Sequence, residues 1–255
     1  MSPWTSDVAG FFPGPDPDRI VPHRFGTFTR FGLTLAVALT TAPAVAQSPE
    51  RALPVEEYLL PQAEEVALAL SAAPAGVTDG ASVMVLRRDG YERVREGTDG
   101  FTCLVQRGWS SPLVPAAGPD FFLPRLLAPI CFNPGASRTV LPEYLRRTEL
   151  ALSGHSADEM RTILLQEIGS GALEPPDASA MAYMMSPDQW IGSAVGRWHP
   201  HVMLYLPFTD VSMIGEHALE SGLPLAFDYM GGPFATFVLQ VRDWSTGSPD
   251  HGGSG

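Results

Sequence analysis

Residues 31–46, FGLTLAVALTTAPAVA, carry no charge and follow His23, Arg24 and Arg30. The stretch ends in Ala44-Val45-Ala46 with Gln47 next, the small-x-small pattern of a signal-peptidase site. It reads as a secretory signal peptide, which places the rest of the chain in an oxidising compartment, bacterial periplasm or medium. The apolar run from Phe31 to Leu39 is shorter than the roughly 20 residues that span a bilayer, so no transmembrane anchor is expected after cleavage. Gln47 in place of Cys argues against a lipoprotein. The lack of an Arg-Arg pair before the apolar run argues against twin-arginine export. Before it, Asp7, Asp16 and Asp18 face one arginine, Arg19, which is unusual for a leader. Residues 1–46 are therefore read as a signal peptide with an N-terminal extension from a start placed too early. Val21 is the candidate true start.

Export gives the two cysteines their meaning. Cys103 and Cys131 are expected to form one disulfide. The loop of about 28 residues makes it worth roughly 3–4 kcal/mol in the chain-entropy model. Two buried thiols or a nucleophile are the alternatives. Cys103 lies in the strand-like Phe101-Thr102-Cys103-Leu104-Val105, with no histidine nearby. The net charge of −12 excludes a nucleic-acid partner, because phosphate binding needs a basic face. Hydrophobic residues make up 45% of the chain, enough for one core.

Along the chain, residues 47–61 are an extended, Pro- and Glu-rich lead-in, and 62–244 form a single globular domain. A helix starts at Gln62, with Ala63, Val66, Ala67 and Leu70 on one face. Ser82–Arg87, Tyr91–Glu96 and Phe101–Arg107 read as a three-stranded meander, turned at Asp89-Gly90 and at Gly97–Gly100. Residues 108–138 read as a long surface loop held at Cys131. A helical hairpin covers 139–172. Leu141, Leu145, Leu150 and Leu152 supply its first apolar surface. A Ser156/Glu159 capping box starts its second helix, whose buried stripe is Met160, Ile163, Leu164 and Ile168. Ala180–Met185, His201–Pro207 and Ala235–Val241 read as strands, and Asp210–Leu219 as a short helix. Residues 245–255 are polar and Gly-rich and read as a disordered tail. The order predicts an α+β fold: a mostly antiparallel sheet of about five or six strands, with the helical hairpin and the N-terminal helix packed on it.

Two groups of residues are site candidates. In an extended chain His199 and His201 share a face, with Met203 and Tyr205 beyond them. Two imidazoles can meet one divalent ion such as zinc, with His217 or Glu216, or else Asp210 or His155, completing the shell. The second group is a ligand pocket at Tyr183, Met185, Met203 and Tyr205, where methionine adapts to an apolar ligand. Motifs for a serine nucleophile, a phosphate loop or a dinucleotide site are absent, and there is no lysine. The leading reading is therefore an exported, non-catalytic binding or envelope-associated domain of unknown ligand. It needs no cofactor, and its partners are unknown. The alternative is a metal-dependent hydrolase using His199 and His201.

Gly97-Thr98-Asp99-Gly100-Phe101-Thr102-Cys103-Leu104-Val105, Tyr183-Met184-Met185-Ser186 and His199-Pro200-His201-Val202-Met203-Leu204-Tyr205 together resemble a group of exported bacterial proteins without an assigned function. The resemblance spans roughly residues 80–240. It implies a shared exported domain and no particular activity.

Overall fold

The computed structural model describes residues 50–110, 120–192, 196–210, 222–227 and 232–251. They belong to one compact unit, Ala46–Gly255. The signal segment, His217, Glu216 and most of the expected Asp210–Leu219 helix lie outside the described residues.

The fold is α+β, with eight strands among the described residues in one mixed sheet. They are β1 (Ser82–Arg87), β2 (Gly90–Arg95), β3 (Thr102–Gln106), β4 (Ala128–Phe132), β5 (Met181–Met184), β6 (His201–Tyr205), β7 (Leu225–Phe227) and β8 (Thr236–Gln240). Their spatial order is β2-β1-β3-β4-β5-β6-β8-β7. All neighbours are antiparallel except β1 and β3, which run parallel.

That one parallel contact replaces the expected meander. After β2 the chain crosses the start of β1 instead of folding back along β2. Gly97 N donates to Ser82 Oγ, Thr98 N to Gly80 O and Ser82 N to Phe101 O. A Cβ on Gly97 would lie 2.3 Å from Ser82 N, so only glycine fits the crossing. β3 thus emerges on the other side of β1. The segment expected as a loop over 108–138 supplies β4, a fully buried central strand. Its sequence, Ala-Pro-Ile-Cys-Phe, has neither alternation nor length to announce a strand. Pro129 is tolerated although the strand is central, and Asn133 caps a short following helix, α3 (Pro134–Thr139). β7, with three residues, also carried no sequence signal.

Cys103 and Cys131 face each other directly in the β3–β4 register and are bonded. Both are fully buried. They lie on the face covered by α1 (Gln62–Leu70), with Val83, Val105, Ala69 and Ala72. The opposite face carries the larger core: Leu104, Ile130, Phe132, Ala182, Met184, Met203, Tyr205 and Val238, under α3 and α4 (Leu141–Leu152). α4 and α5 (Ala157–Ser170) form the expected hairpin, and the Ser156/Glu159 capping box is present. Gly171, at φ 77°, ends α5 two residues beyond the expected stop at Gly169. On α4 the buried stripe is not the leucine series alone. Glu143, Tyr144, Arg147, Thr148 and Ala151 are buried with Leu141 and Leu150.

β1 and β3 pair only at Ser82–Thr102 and Val83–Cys103 and then diverge. Backbone groups of a strand point alternately to its two neighbours. Leu86 N therefore faces the gap, where Glu65 Oε1, from α1, accepts its hydrogen bond at 3.0 Å. Arg107 fills the same gap. It donates to Glu65 Oε1, to Tyr58 O and to Val105 O, and both charged side chains are fully buried. This ion pair plugs the opening between two parallel strands.

The segment expected as a disordered tail is held as far as Asp250. Trp244 is buried, Ser245 N donates to Met185 O, and Asp250 N donates to Arg242 O. The Gly-rich composition predicted no partner for these residues; some partners are local, as Arg242 is for Asp250, and others lie more than fifty positions upstream, as Met185 does for Ser245.

Candidate functional site

β6 shows strict alternation. His201, Met203 and Tyr205 are buried, while Val202 and Leu204 on the other face are less so. Each turns toward the α3/α4 side because it pairs with a neighbour facing the same way: His201 with Met184, Met203 with Ala182. Of the four residues expected on one face, His201, Met203 and Tyr205 lie there; His199 lies before the strand and bonds Asp250 through Nδ1. The expected four-residue pocket does not form one wall. Tyr183 pairs with Val202 and packs on the opposite, disulfide-bearing side, with its ring 6.4 Å from that of Phe101. Met185 lies past the end of β5, where its N–H donates to Ala72 O. The physical reason is the two-residue period: odd and even positions of β5 serve different faces.

His199 precedes β6, and Pro200 separates it from the strand. Its Nδ1 lies 2.5 Å from Asp250 Oδ2, so the held C-terminal segment supplies the partner of a histidine fifty positions earlier. The pair is partly exposed, 24% for His199 and 15% for Asp250. His201 is 4% exposed. Its Nδ1 donates to His199 O at 2.7 Å, which leaves Nε2 as the acceptor atom of a neutral ring. Burial holds its pKa down at about 4; the bond to His199 O opposes that shift and the neighbouring His199 adds to it.

Trp198 lies between the two histidines, its ring 5.9 Å from that of His199 and 4.8 Å from that of His201. Gln189 Nε2 donates to Trp198 O at 2.8 Å. Gln189 is 2% exposed and Trp198 6%. Among the described residues, Gln189 Oε1 and Trp198 Nε1 have no hydrogen-bond partner. One acceptor and one donor are thus buried and unused on two touching residues, beside a partly exposed His–Asp pair. Neither residue was a sequence candidate as a polar group. Trp198 flanked the histidine motif, and Gln189 carried no signal, because only the fold brings its amide to the Trp198 backbone.

Both histidines bond through Nδ1, His201 to a carbonyl and His199 to Asp250, so Nε2 is the ring atom with which either would meet an ion. Among the described residues no group of three His, Cys, Asp or Glu side chains is placed to hold an ion. His155 sits between α4 and α5, 3.9 Å from Glu159. His217 and Glu216 fall outside the described residues.

A second polar cluster lies under α4. Arg147 donates to Glu143 Oε1 and to Ser110 O, and Tyr144 Oη is 3.4 Å from Tyr205 Oη. Burial raises the pKa of Glu143, Tyr144 and Tyr205; Arg147 opposes each shift. Glu143 and Arg147 stand four apart in the helix, a spacing the sequence displays but that more often marks a solvated pair.

Among the described residues no helix is long and apolar enough to cross a membrane. No family model, curated protein or solved structure matches the chain.

Proposed function

We propose that the chain is an exported binding domain whose ligand site is the corner formed by Trp198, Gln189 and His201, with the His199–Asp250 pair at its rim. The carrying observation is the buried, unpartnered donor and acceptor on Trp198 and Gln189. A buried polar group without a partner costs about 1–3 kcal/mol, which a ligand able to supply the missing bonds would recover. The signal-like segment, the disulfide and the resemblance to exported proteins support the export half of the reading.

The test is to express the full chain in a bacterium, recover the periplasmic fraction without chelator or tag, and sequence the N-terminus. Metal content is measured beside His199→Ala/His201→Ala. The expected result is a chain starting at Gln47, with no near-stoichiometric metal in either form. Near-stoichiometric zinc that disappears in the double variant overturns the binding reading in favour of a hydrolase. A chain retained uncut in the cytoplasm overturns export.

A further inference from the structure

We draw no further inference here: the strongest candidate, the half-buried apolar face that Val202 and Leu204 of β6 form with Phe237 and Leu239 of β8 on the disulfide-bearing side of the sheet, carries nothing, because nothing among the described residues shows what covers it.

Discussion

The Glu65–Arg107 plug and the Trp198 corner are both polar groups inside the core, but they are completed to different degrees. At the plug, Arg107 reaches a carboxylate and two backbone carbonyls, and the same carboxylate caps Leu86 N. Every bond joins elements of the fold: α1, β1, β3 and the lead-in at Tyr58. At the corner, the bonds from Gln189 to Trp198 and from His201 to His199 only position the side chains. One donor and one acceptor remain over. At the plug Glu65 Oε2 also remains over, but on a carboxylate whose charge Arg107 balances and whose other oxygen ties two elements together. Buried polarity left open on neutral atoms is what the proposed binding site rests on.

The largest test of this contrast is at the plug. Glu65→Leu leaves Arg107 charged and buried and strips Leu86 N of its acceptor, so a loss of about 3–5 kcal/mol is expected. It is read as a lower urea midpoint at unchanged slope. Adding Arg107→Met should recover part of it. A single-variant loss under about 1 kcal/mol would mean that the plug does not hold β1 and β3 in place.

The next is acid. His201 titrates near 6.5 when unfolded and at about 4 when folded. The fold therefore favours the neutral ring. Its contribution is complete above pH 6.5 and is lost as pH falls from 6.5 toward 4, by roughly 3 kcal/mol at most. The stability difference between wild type and His201→Phe should move in that window and stay flat above it. A difference that does not change between pH 7 and 4 would place the ring in water.

The smallest effect sharpens the comparison most. Trp198→Phe removes a donor that bonds nothing, whereas Trp109→Phe breaks the bond to Thr148 in a fully buried setting. Trp109→Phe is expected to cost at least about 1 kcal/mol more than Trp198→Phe in the same denaturation experiment. Equal costs would show that the Trp198 indole N–H is paired in the free protein.

The helical hairpin, its capping box, the β1–β2 turn and strands β5, β6 and β8 were legible in the sequence. Each depends on neighbours a few residues away: Ser156 with Glu159, Asp89 with Gly90, and alternation along His201–Tyr205. The pairing of Cys103 with Cys131 was legible from their number and from the expected compartment. That the two stand opposite each other on adjacent strands was not, since β4 resembled a loop. Of the site, the buried face of His201, Met203 and Tyr205 was readable from the two-residue period. Tyr183 was misplaced by the same rule applied without a register.

Local chemistry therefore determined the α+β class, the helices α1, α4 and α5, and most of the strands. Tertiary structure decided the parallel β1–β3 contact, where Gly97 lets the chain cross Ser82 with no Cβ between them. It chose which of the acids and arginines are interior, through a gap between strands that exists only once both are placed. It also brought Asp250 to His199 and Gln189 to Trp198. Hydrogen bonds to partners ten or fifty residues away leave no periodic trace in a sequence, because their geometry is set by the sheet and not by the chain on either side.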